Sequence, residues 1–201
     1  MLQLFKSIAP VALVLLCISS MSAAHAHTGH HADEHKVTKA SGGDFTLMSD
    51  KGAVTLSDFR GKVAAIYFGY SHCTDVCPLD LSKLGQALKS MKPEEAAQIQ
   101  PIFITLDPAR DDAKRMADYS TSFHPKMLGL TGAEAEIAAV AKAYGVSYKK
   151  GPVNAAGNYD IEHPSDIFLV ARSGGLLRNL PKGVDPERIA AALRKALKSK
   201  H

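Results

Sequence analysis

Short runs of uninterrupted apolar residues, separated by amphipathic stretches, set the layout of this chain. Val63-Ala64-Ala65-Ile66-Tyr67-Phe68 has no polar position, which is the mark of a strand covered on both faces. Pro101 to Leu106 and Ile167 to Val170 repeat that signature. After the first run, Leu81, Leu84 and Leu88 recur on one face of a helix, and Pro78 is expected to open it, where a missing N–H costs nothing. Upstream, Asp44 to Met48 and Ala53 to Leu56 read as two short strands about the turn Ser49-Asp50-Lys51-Gly52, and Asp58 to Gly61 turns the chain into the first apolar run.

Downstream, Asp111 or Asp112 caps a helix carrying Met116 and Tyr119, and Lys126 to Leu130 is a short extended piece. Thr131 or Gly132 caps a further helix with Ile137, Val140, Ala141 and Tyr144 on one face, stopped by Gly145. Val146 to Lys149 and Tyr159 to Glu162 flank a Gly, Pro and Asn-rich loop, as an inserted hairpin would. Leu176 to Leu180 pairs back on Ile167 to Val170, and Asp185-Pro186-Glu187 caps a last helix with Ile189, Ala192, Leu193, Ala196 and Leu197 inward. The order predicts an α/β chain of thioredoxin-like fold: a mixed central sheet flanked by helices, with one inserted hairpin.

Composition adds the domain plan. Lys6 precedes an apolar run from Ile8 to Ile18, followed by the small-residue sites Ser22-Ala23-Ala24 and Ala24-His25-Ala26. Residues 1–26 therefore read as a signal peptide or membrane anchor, and the protein as exported; Ile8 to Ala24 is 17 residues, near the lower limit for a bilayer span. Residues 27–42 form a His-rich flexible linker, with His27, His30, His31 and His35 following His25. Such a tail either collects Cu(II), Ni(II) or Zn(II), or is simply a solvated linker. Residues 43–201 are the folded domain. The net charge of +4 is too weak and too scattered for a nucleic-acid partner.

Three cysteines are present, and Cys17 falls in the leader, so Cys73 and Cys77 remain. Two thiols in a core-rich domain make a site rather than a disulfide framework. They stand between a buried strand and a helix, where unpaired N–H groups favour thiolate over thiol. With three residues between them, where thioredoxin-type dithiols have two, they can close a disulfide or converge on one soft ion such as Cu(I). A third ligand must come from elsewhere. His163, in Glu162-His163-Pro164 just before a central strand, is the best placed; an imidazole there also admits Cu(II). His72 is expected to point to the opposite side of its segment, His124 to lie in a loop, and His201 ends the chain.

Taken together, Gly69-Tyr70-Ser71-His72-Cys73-Thr74-Asp75-Val76-Cys77-Pro78, Asp107-Pro108-Ala109-Arg110-Asp111, Gly129-Leu130-Thr131-Gly132 and His163 resemble the Sco/SenC family of copper-binding proteins over Gly43 to Lys198. The resemblance implies an exported thioredoxin fold binding copper, Cu(I) or Cu(II), through Cys73, Cys77 and His163. It further implies a role in assembling the binuclear copper centre of cytochrome c oxidase, with that enzyme's copper subunit and a periplasmic copper donor as partners. Such a protein works in the periplasm or on the periplasmic face of the inner membrane. Members deliver copper, reduce the acceptor's cysteines, or both; in the second role Cys73 attacks and Cys77 resolves. Two positions depart from the usual pattern: Thr74 stands where proline is commoner, and Pro164 follows His163, so that a cis bond facing the cysteines is one expectation. Asp75 and Asp107 are either acidic handles for a copper donor or turn residues.

Overall fold

The computed structural model describes residues 41–199. The expected leader, the linker histidines and His201 lie outside them. A central sheet has the order β5-β4-β3-β8-β9, and its middle strand, β3 (Val63–Gly69), is buried at all seven positions. That follows from its composition, since no polar side chain asks for water. β4 (Ile99–Thr105) runs parallel to β3 on one side, and β8 (Ile167–Val170) antiparallel on the other. β5 (Leu128–Leu130) and β9 (Leu176–Leu180) form the edges. The expected mixed sheet is therefore present.

Two small sheets stand apart from it. β1 (Thr46–Ser49) and β2 (Gly52–Thr55) make the N-terminal hairpin, tied to the domain by Met48 and Thr131 exchanging backbone hydrogen bonds. β6 (Lys149–Lys150) and β7 (Ile161–Glu162) pair through only two residues each and form the inserted hairpin.

Helices flank the central sheet: α1 (Val76–Lys89), α3 (Ala113–Phe123), α4 (Glu134–Ala143) and α5 (Pro186–Leu197), with α1 packed on α5 and α3 on β5. A single turn, α2 (Pro93–Ala96), was not anticipated. Phe68 binds these layers together, meeting Tyr144 and Phe168 with ring centroids 5.6 Å away in both cases. Aromatic pairs of this kind contribute about 0.5–1.5 kcal/mol beyond their buried area.

Two local expectations need correction, and one alternative is decided. α1 starts at Val76, two residues before Pro78, because the first turn of a helix leaves its N–H groups unpaired and so tolerates proline there. Cys77 is consequently a helical residue. At α4 neither Thr131 nor Gly132 is the cap; Ala133 is, and its backbone N–H donates to Glu136 at 2.8 Å. Of the two candidates for capping α3, Asp112 does so, accepting from the Arg115 amide at 2.7 Å, which releases Asp111 for another purpose.

Candidate metal centre

The loop from β3 to α1 delivers Cys73, the first turn of α1 delivers Cys77, and the loop's shape is held from below by Asp111. This carboxylate is fully buried and accepts from the Ser71 amide at 2.9 Å and the Thr105 hydroxyl at 2.7 Å. The Ser71 hydroxyl donates to it as well. His72 is engaged with the same group, Nδ1 lying 3.5 Å from Asp111 and 3.3 Å from Ser71 Oγ, so it is committed away from the thiols as expected. The Cys73 amide donates to the Tyr70 carbonyl at 3.3 Å and closes the turn.

Cys77 sits against β3 at the one strand position without a side chain. A Cβ at Gly69 would lie 2.9 Å from Cys77 Sγ and 3.1 Å from both the Phe103 and Tyr67 rings, well inside ordinary contact. Glycine is required there by close approach rather than by its backbone angles. Both cysteines are free and buried, Cys77 wholly and Cys73 with 9% exposed. The pair is thus largely enclosed.

The two thiols are electrostatically unequal. Cys73 is held far below the usual thiol range, to about 3, first by its hydrogen bond with Cys77, against the opposing effect of burial. Cys77 is pushed up, first by the same hydrogen bond and then by burial. The two sulfurs share that hydrogen bond and titrate as a coupled pair, Cys73 ionising the more readily.

β7 ends one residue before His163, and β8 begins four residues after it. The imidazole Nδ1 lies 2.8 Å from the Pro164 carbonyl. A carbonyl only accepts, so Nδ1 carries the hydrogen and Nε2 keeps its lone pair. That nitrogen is 3.5 Å from Cys77 Sγ. The ring stands edge-on to Tyr70 and Tyr67, centroids 6.0 and 6.4 Å away. All peptide bonds among the described residues are trans, so the cis geometry considered for Pro164 is not adopted.

These donors suit a metal. Bonds of about 2.0 Å to nitrogen and 2.3 Å to sulfur at a tetrahedral angle place the two donor atoms roughly 3.5 Å apart, the separation seen between His163 and Cys77. Cys73 is within hydrogen-bonding reach of both. Among the described residues, however, no three His, Cys, Asp or Glu side chains are already spaced to hold an ion together. The triad is a hydrogen-bonded arrangement that must readjust, by side-chain rotation, to become a coordinating one.

Other expected residues fall elsewhere. His124 caps the end of α3, and Asp75 is exposed at the start of α1. Asp107 is 2% exposed and offers no handle to a donor. Its carbonyl accepts from the amides of Arg110 and Asp111, and its carboxylate from Arg110 Nε and, at 2.8 Å, the Tyr159 hydroxyl. Residues that sequence reasoning missed include Tyr67, whose hydroxyl approaches Asp80 at 3.5 Å and Cys77, and Asp80 itself, whose carboxyl is raised above its ordinary range by burial. Asp80 follows Cys77 by one helical turn, the only hint available beforehand.

A family model described as SCO1/SenC matches residues 33–198. The mitochondrial SCO2 homolog of Bos taurus is 38% identical over 76% of this chain, and the match spans 58% of that protein's length. Among solved structures, Bradyrhizobium japonicum ScoI with copper bound is 40% identical, with a TM-score of 0.72, covering 79% of this chain and all of that one. Yeast Sco1 with copper bound is 34% identical, with a TM-score of 0.73, covering 81% of this chain and 91% of that one.

Proposed function

The chain belongs to the SCO1/SenC family, and from that premise we propose that it is an exported copper metallochaperone holding one copper ion through Cys73, Cys77 and His163. Its task is assembly of the binuclear copper centre of cytochrome c oxidase, on the periplasmic side of the inner membrane. The ion arrives from a periplasmic donor and leaves to the copper subunit of the oxidase. The observation that carries this is the pairing of His163 Nε2 with Cys77 Sγ at 3.5 Å while Nδ1 is committed to the Pro164 carbonyl. An orienting hydrogen bond on the far nitrogen is what a ligating imidazole ordinarily has.

Each side chain has a distinct part. Cys73, the more readily ionised thiol, is the first donor to an incoming ion. Cys77 gives up its proton as it binds, so loading releases a proton and weakens as acid competes. Two thiolates suit Cu(I), and the imidazole extends the set to Cu(II). Handover proceeds by exchange of these ligands for the thiols of the acceptor.

Equilibrium titration of the wild type, His163→Ala, Cys73→Ser and Cys77→Ser with copper is the test. One equivalent in the wild type is expected, with affinity and Cu(II) spectrum both altered in His163→Ala. An unchanged affinity and spectrum in that variant rejects the ligand set. The inequality of the thiols favours a second reading, a thiol:disulfide oxidoreductase in which Cys73 attacks and Cys77 resolves. Under it, Cys77→Ser traps a mixed disulfide between Cys73 and an oxidised acceptor, and copper occupancy has no effect on the rate.

A further inference from the structure

We propose that Arg110 and Tyr159 form a latch that sets the position of His163, by fastening the inserted hairpin to the same loop that holds the thiols. This rests on the assignment of His163 as a ligand. The hairpin belongs to no larger sheet and is held by two residue pairs, which is marginal on its own. Its stability against the domain therefore comes from side chains. The Arg110 guanidinium carbon lies 3.5 Å from the Tyr159 ring centroid, and Arg110 Nη2 donates to the Tyr159 carbonyl at 2.9 Å. Lys150 approaches the same ring at 4.1 Å. The Tyr159 hydroxyl ends on Asp107, which also receives Arg110 Nε. Next along the chain, Asp160 accepts from the Tyr70 hydroxyl at 3.2 Å.

Tyr159 stands four residues before His163, a span of at most about 14 Å of chain. Beyond His163, Ile167 is paired with Tyr67 on the central sheet. His163 is therefore suspended between a fixed strand and a hairpin that buried Ile161 and the latch hold to the domain. Asp111, which ends the 107–111 loop, fixes the thiol segment; Asp107, which begins it, and Arg110 fix the hairpin. Opening the latch frees the imidazole while the sulfurs stay where they are. Tyr159 and Arg110 are thus positioning residues for the ligand.

A double-mutant cycle of Tyr159→Ala and His163→Ala, read by Cu(II) affinity and spectrum, tests the coupling. Loss of the stacked cation is expected to weaken Cu(II) binding about tenfold when His163 is present and not at all when it is absent. Tyr159→Phe, which keeps the stack, is expected to recover most of that loss. Where His163→Ala itself alters copper binding, equal losses in both backgrounds, or none in either, overturn the latch. A second measurement uses metal-free protein. The His163 ring protons lie beside Tyr67 and Tyr70, so Tyr159→Ala is expected to move their resonances toward those of a free imidazole. Unmoved resonances overturn the latch whatever copper does. Moved resonances with copper affinity indifferent to His163→Ala uphold it and reject the ligand assignment instead.

Discussion

The sulfur half and the nitrogen half of the triad are built differently. The sulfurs rest on β3, buried along its whole length, with Asp111 gathering three donors under their loop and Gly69 giving Cys77 its space. The imidazole hangs on a two-pair hairpin, fastened by the single buried side chain of Ile161, one stacked cation and a few hydrogen bonds. A buried platform keeps its geometry because moving it would open cavities or strand polar groups. A segment held by a handful of partly exposed contacts opens at far smaller cost. The contrast places stability on one side of the centre and adjustability on the other, as the proposed role of gripping and releasing an ion requires.

The contrast is open to attack, most strongly at Asp111. Replacing it with alanine leaves the half-buried donors of Ser71 and the buried hydroxyl of Thr105 without that acceptor, and a loss of about 3 kcal/mol is expected in urea denaturation. A loss under 1 kcal/mol would mean that the platform does not depend on this carboxylate. Next comes Gly69→Ala, where the added methyl group meets Cys77 Sγ at 2.9 Å and two aromatic rings. Overpacking of this kind costs about 1–3 kcal/mol, and slower alkylation of Cys77 than in the wild type would confirm that its pocket is the part compressed.

The smallest effect is expected at Asp80, and it depends on pH. Burial raises its carboxyl above the ordinary value of 3.8, so the folded chain holds that proton more tightly than the unfolded chain. The stability this supplies is complete below pH 3.8 and is lost as pH rises through the raised folded value. At pH 7 the ionised group is a net cost, and Asp80→Asn is expected to raise the urea midpoint there, with the gain fading toward acid. A variant less stable at pH 7 would show that the neighbouring Lys83 and Tyr67 outweigh desolvation.

Much of this could be read along the chain. Apolar runs too short for helices and too continuous for half-exposed strands located β3, β4 and β8, and the leucine and isoleucine periodicities located α1 and α5, because burial leaves a one-dimensional record. That the two cysteines and His163 meet was legible because few side chains suit a soft metal, and because the strand order brings the start of β8 beside the end of β3. The start of α1 was misplaced because proline is tolerated anywhere in a first helical turn.

The rest was settled only by folding. Whether Asp111 caps α3 or closes under Ser71, forty residues away in sequence, depends on which amides the tertiary fold leaves unpaired. The unequal thiols, the orientation of the His163 ring and the stacking of Arg110 on Tyr159 likewise depend on distances between segments far apart in the chain. Local sequence records what each residue needs, an apolar neighbour or a hydrogen-bond partner or a charge. Only the packed structure decides which partner supplies it, because every candidate competes for the same limited interior.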